Sequence, residues 1–146
     1  MTTINGKALV KDGKPLDRVY SNGQLVYGRN LIVRSGELAG YIVGATGKIE
    51  QIGGNAVMKN FITVTPGEQL TMSGTAASSE NLFRYGFYDT DGNVIMRNYV
   101  VLKPAKTVTT PPGATTFRIS YPQLAQVKLE RGNIATDWTP APEDYI

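Results

Sequence analysis

The sequence predicts an all-β protein: a two-sheet antiparallel β-sandwich or jelly roll, preceded by a short N-terminal β-hairpin unit. Three observations predict it. Short runs rich in Val, Ile, Thr, Tyr and Phe alternate with clusters of Gly, Pro, Asn and Asp. Turn signals recur about every 8–15 residues, the spacing of sandwich strands. The best helical stretch, Glu37–Val43, is interrupted by Gly36, Gly40 and Gly44.

Residues 1–29 read as the hairpin unit. Asn5-Gly6 and Asp12-Gly13 are turn dipeptides, and Asn22-Gly23 sits between Val19-Tyr20 and Leu25-Val26-Tyr27. Asn-Gly between apolar pairs favours a type I′ turn, whose two central residues need positive φ. Residues 30–146 read as the sandwich. Strands are expected at Leu31–Val33, Tyr41–Val43, Phe61–Val64, Leu70–Met72, Leu82–Tyr88, Val94–Leu102, Thr116–Tyr121 and Gln126–Glu130. Alternation assigns faces. Phe83, Tyr85 and Phe87 point to the core, leaving Arg84, Gly86 and Tyr88 outward. Phe117, Ile119 and Tyr121 point in and Thr116, Arg118 and Ser120 out; Val127 and Leu129 point in and Gln126, Lys128 and Glu130 out. In 94–102 either alternating set fits. The two prolines after Trp138 bar helix and ladder, so the tail reads as a crossover or linker.

Composition narrows the function. A chain of 146 residues, 41% hydrophobic and 18% charged, suits one globular domain. It has no cysteine and no histidine, which removes disulfides, thiolate chemistry, histidine bases and histidine metal triads. The net charge of +3 is spread along the chain rather than gathered in a basic stripe, so no nucleic-acid partner is expected. No apolar run approaches the ~20 residues of a membrane span, and Met1-Thr-Thr-Ile does not open a signal peptide, so no membrane partner is expected and synthesis is cytoplasmic.

Motifs with catalytic precedent fail on spacing. Asp89-Thr-Asp91-Gly92-Asn93 starts like a calcium loop, but its glycine is fourth and Val100 stands where the glutamate belongs, so it reads as a capped hairpin turn. Gly44-Ala-Thr-Gly47-Lys48 lacks the phosphate-loop spacing, with Ile49 after the lysine. The acids offer no facing pair for sugar cleavage. The expectation is therefore no enzyme, no catalytic residue, no metal site and no cofactor.

Eight tyrosines and seven arginines suggest saccharide binding, in which sugar C–H faces stack on aromatic rings and hydroxyls bond to planar polar groups. Arg84 and Tyr88 flank Gly86, whose missing side chain leaves room for a ligand, and Arg118 stands on another strand. The candidate carbohydrate-binding residues are Arg84, Tyr88 and Arg118, followed by Tyr41, Arg97, Tyr99, Lys128 and Glu130. The same alternation also describes a solvated sheet face with scattered polar groups. Trp138, before Thr-Pro, reads as packing the tail, with an exposed stacking platform as the alternative.

The stretch Val127-Lys-Leu-Glu-Arg-Gly-Asn-Ile-Ala-Thr-Asp-Trp-Thr-Pro-Ala-Pro-Glu-Asp144 closely resembles the ending of carbohydrate-binding, jelly-roll-like modules in tail and baseplate proteins of siphophages of Gram-positive bacteria. Tyr20-Ser-Asn-Gly-Gln-Leu-Val-Tyr-Gly-Arg-Asn-Leu31, Phe87–Asn93 and Pro111–Ser120 are similar to preceding segments of the same family. The resemblance spans roughly residues 18–144. It implies a module, as found in enlarged distal tail proteins, tail lysins and receptor-binding proteins, that attaches the virion's tail tip to cell-wall polysaccharide. Its implied partners are that polysaccharide and other phage tail proteins. Binding positions vary across the family, so no site residue transfers, and Leu129, Trp138 and Pro140 match as structural positions. The rival expectations are a structural or oligomerising sandwich that binds no glycan, and a carboxylate-based glycan hydrolase.

Overall fold

A computed structural model describes residues 2–4, 7–42, 48–50, 54–74, 83–102 and 104–144, with the backbone alone for 2–4, 7, 8 and 41. The Asn5-Gly6 turn, Val43, the Gly44–Gly47 stretch, Gly53 and Leu82 lie outside the described residues.

The chain begins with a three-stranded antiparallel sheet of β1 (Thr2–Ile4), β2 (Lys7–Lys11) and β3 (Lys14–Pro15), followed by the hairpin of β4 (Arg18–Ser21) and β5 (Gln24–Gly28). Asp12-Gly13 and Asn22-Gly23 turn these strands with both residues at positive φ, 52° and 76° in the first and 52° and 77° in the second, as a type I′ hairpin requires. Leu9, Val10 and Tyr27 form a small core of their own, with Val19 against it.

The remaining strands are β6 (Leu38–Ala39), β7 (Tyr41–Ile42), β8 (Ile49–Glu50), β9 (Asn55–Val57), β10 (Ile62–Thr63) and β11 (Gln69–Gly74). After them come β12 (Phe83–Tyr88), β13 (Val94–Val100), β14 (Lys106–Thr109), β15 (Thr116–Pro122) and β16 (Val127–Arg131). One sheet runs β13-β12-β15-β9-β6, with β10 also on β15, and a second runs β14-β11-β16. All pairings are antiparallel. The main core takes Phe83, Tyr85, Phe87, Phe117, Ile119 and Tyr121 from the first sheet and Leu70, Met72, Val127 and Leu129 from the second. The fold is thus an all-β antiparallel sandwich. The aromatic trio expected in the core is there, with Tyr85 stacked on Phe117 at 5.7 Å and Phe87 edge-on to it at 5.0 Å. Each such side chain contributes about 1.5–3 kcal/mol on burial, which fixes the register. Val100 packs against the same core, settling the face of β13.

Two departures from the sequence reading have physical causes. Leu31–Val33 is not a strand. Leu31 makes one ladder-like bond, N–H to the Leu129 carbonyl at 2.9 Å, and the Asn30 side chain takes over the rest. Its Oδ1 accepts from the amides of Ile32 (3.0 Å) and Leu129 (3.2 Å), and its Nδ2 donates to the carbonyls of Val127 (3.0 Å) and Thr139 (2.9 Å). Asn30 is 2% exposed and uses all its hydrogen-bonding capacity as a polar plug between the lead-in segment, β16 and the tail. Secondly, β6, β8, β9 and β14 are laddered strands where the sequence predicts none, because such short segments carry little periodicity.

The tail is a structural fastening. Trp138 is half-buried and donates its indole N–H to the Val127 carbonyl at 3.3 Å. The Asp144 carboxylate accepts from the amides of Arg34 and Ser35, both at 3.0 Å, and from the Ser35 hydroxyl at 2.7 Å.

Candidate functional site

On the outer face of the larger sheet, cross-strand pairing sets Arg84 opposite Tyr99 and Gly86 opposite Arg97. Directly opposed side chains start about 5 Å apart, so these groups share one surface. They line a groove of about 320 Å³ with Ile42, Tyr85 and Asn98. Tyr99 is 63% exposed, Arg97 and Asn98 are exposed, and Arg84 is half-buried. The rim is held by Ser120, whose hydroxyl donates to the Arg84 carbonyl (3.3 Å) and accepts from the Ile42 amide (3.2 Å). Tyr41 precedes Ile42 in β7, its backbone paired with Glu50, and its side chain lies outside the described residues. Three of the expected binding residues, Arg84, Arg97 and Tyr99, are therefore brought together.

Tyr88 and Arg118 are not on an open shelf. Tyr88 is 5% exposed and Arg118 is 9% exposed. The space over Gly86 is filled by the Tyr88 ring: a Cβ there would lie 2.7 Å from the Tyr88 hydroxyl and 2.9 Å from Cζ. The glycine makes room for a neighbouring side chain, not a ligand. Arg118 donates Nε to the Met58 carbonyl at 2.9 Å and Nη2 to the Lys59 carbonyl at 3.0 Å, and lies 4.5 Å over the Phe61 ring, which meets Tyr88 edge-on. Burial pushes the Tyr88 hydroxyl up, with Arg118 opposing, and pulls the Arg118 guanidinium down. The expected outward direction of both is right, but the segment carrying Met58–Phe61 covers them.

Lys128 and Glu130 face away from the core, yet they are 0% and 1% exposed. The β4–β5 hairpin and the tail close over them. Lys128 Nζ donates to Thr136 Oγ1 and the Asp137 carbonyl, both at 2.8 Å, lies 3.8 Å from Glu130 Oε1 and sits 5.3 Å from the Tyr27 ring centre. Glu130 accepts from the Thr136 amide (3.0 Å) and hydroxyl (2.5 Å). Gly28 passes so close that a Cβ there would collide with the Glu130 carboxylate. Burial pushes the Glu130 carboxyl above its usual range, while the Thr136 hydrogen bonds and Lys128 pull it back. This cluster clamps the hairpin and is closed to a saccharide.

Three further acids are engaged as well. Asp89 Oδ1 accepts from the amides of Asp91 and Asn93, both at 2.9 Å, so the calcium-like segment is a self-capped turn. Glu68 pairs with Arg131 at 2.8 Å, and Glu37 takes Arg34 at 3.0 Å and the Tyr121 hydroxyl at 2.7 Å. Among the described residues no group of three or more acids forms a metal-binding cluster. Two larger cavities, of about 620 and 490 Å³, lie where the hairpin meets β16 and are lined in part by Arg18 and Arg131. The sequence reading missed them because their walls are 113 positions apart in the chain. No family model, curated protein or solved structure matches this chain.

Proposed function

We propose that the protein is a non-catalytic carbohydrate-binding module of a phage tail or baseplate protein, of jelly-roll type, that attaches the tail to polysaccharide of the host cell wall. The observation that carries this reading is the groove of Arg84, Arg97 and Tyr99, with an exposed phenol ring beside two guanidinium groups on a paired-strand platform. A ring face accepts the C–H side of a sugar, and guanidinium donors meet its hydroxyls and ring substituents. A rigid strand pair limits the ordering cost of binding. The engagement of Glu37, Glu68, Asp89 and Glu130 in ion pairs, a turn and a buried cluster supports binding without bond cleavage, since hydrolysis needs two acids facing a substrate. The C-terminal resemblance supports the phage-tail setting. There, several copies bound to one wall gain about 10²–10⁴ in avidity, so weak single sites suffice.

The test is binding of fluorescently labelled protein to purified Gram-positive wall polysaccharide, with reducing ends assayed in parallel. Tyr99→Ala is expected to weaken binding by about tenfold, the value of one aromatic contact, without moving the melting temperature because the ring is exposed. Arg97→Gln combined with it should abolish labelling. Labelling unchanged in the double variant, or release of reducing ends, overturns the reading.

A further inference from the structure

The two cavities between the β4–β5 hairpin and the second sheet share Arg18 and Arg131 in their walls and so lie side by side, as two lobes of a channel that meet at these cations. Its cations are not equivalent. Arg131 gives Nη1 to both Glu68 oxygens, at 2.9 and 2.8 Å, and Nη2 to the Thr63 carbonyl at 3.0 Å. Arg29 is paired with Asp17 at 3.0 Å and Glu143 at 3.1 Å. Arg18 is exposed, donates Nη2 to the Arg131 carbonyl at 3.3 Å, and meets no carboxylate among the described residues. Gly132 leaves that guanidinium its place, since a Cβ there would lie 3.3 Å from Nη2. The smaller lobe adds Tyr20, 59% exposed, and the amide side chains of Gln24 and Asn133.

An arginine without a carboxylate partner attracts an oxyanion, and its planar fork matches phosphate or carboxylate oxygens two at a time. An exposed phenol and two amides in the same lobe suit the C–H face and hydroxyls of a sugar or polyol. The lobes meet at Arg18 and Arg131, so a ligand that fills both is extended.

We propose that this channel binds an acidic glycan or polyol-phosphate chain, its phosphate or carboxylate held by Arg18 and the adjoining sugar or polyol unit laid against Tyr20. The channel shares no residue with the Arg84–Tyr99 groove and stands independently of it.

The test is calorimetric titration of the full chain with a poly(glycerol phosphate) and with oligogalacturonate. At least one is expected to bind, more weakly as salt rises; binding of the first alone names a phosphodiester, and of the second alone a uronate. Arg18→Gln should weaken binding by about tenfold, and Tyr20→Ala several-fold, at unchanged melting temperature. The proposal is overturned if neither chain binds, or if Arg18→Gln binds as the wild type does. If the Arg97→Gln/Tyr99→Ala double variant loses the acidic chain and Arg18→Gln does not, the ligand belongs to the other groove: this proposal fails and the saccharide-binding reading survives. If wall polysaccharide fails to bind but the acidic chains bind through Arg18, the reverse holds.

Discussion

Asn30→Ala is expected to destabilise the protein by about 4 kcal/mol, with a fall in melting temperature on the order of 10 °C. The side chain makes four buried hydrogen bonds to backbone groups of the lead-in segment, β16 and the tail. Alanine leaves the amides of Ile32 and Leu129 without their acceptor, and each orphaned buried donor costs about 1–3 kcal/mol. Asn30→Asp keeps the shape but should be worse at neutral pH, because a carboxylate oxygen then faces the two carbonyls that Nδ2 now serves. Thermal unfolding of the two variants checks both the magnitude and the order.

Lys128→Met is expected to cost about 3–5 kcal/mol at pH 7, because it leaves the buried Glu130 carboxylate without its counter-charge. The loss depends on pH in a defined sense. The Glu130 carboxyl is already raised by burial in the native protein, and removing Lys128 raises it further. Stability from such a group is present below its unfolded value, about pH 4.3, and is lost as pH rises through the folded one. The gap between wild type and Lys128→Met should therefore narrow on acidification toward that value and widen toward neutrality. The double change Lys128→Met/Glu130→Gln should recover most of the loss, since no unpaired charge remains and the Thr136 amide keeps an acceptor. Hydrogen exchange at Gly28, whose amide donates to Thr136 Oγ1 at 3.1 Å, should accelerate in the single variant as the hairpin clamp loosens.

Alternation proved sufficient for direction and insufficient for cover. It placed Phe83, Tyr85, Phe87, Phe117 and Ile119 inward and Arg118, Lys128 and Glu130 away from the core, because strand geometry is local and the pleat has a period of two. It could not show that the segment around Phe61 lies over Arg118, or that Tyr27 and Thr136 close over Lys128 and Glu130. Those contacts join positions far apart in sequence, and no pattern within a strand carries them. The same limit explains Tyr88, outward by alternation but folded onto Gly86 two residues away. The groove is more legible: Arg84, Arg97 and Tyr99 are candidates on sequence grounds, and the β12–β13 register sets them side by side. Asn98 and Ile42 were missed there: the first was assigned to no face, and the second joins through the Ser120 hydroxyl rather than a ladder. Arg18 and Tyr20 had one local signal, a cation and an aromatic two apart in an exposed hairpin strand, but their partner wall at Arg131–Asn133 becomes visible only in the fold.

The most direct measurement is the backbone amide spectrum of the isotope-labelled full chain titrated with soluble wall-polysaccharide fragments. Saccharide bound in the outer-face groove should shift the amides of Arg84, Arg97, Asn98 and Tyr99, saturably and reversibly, while the fragments stay intact. Fragments that leave those amides unmoved at saturating concentration, or that are shortened by the protein, would contradict it.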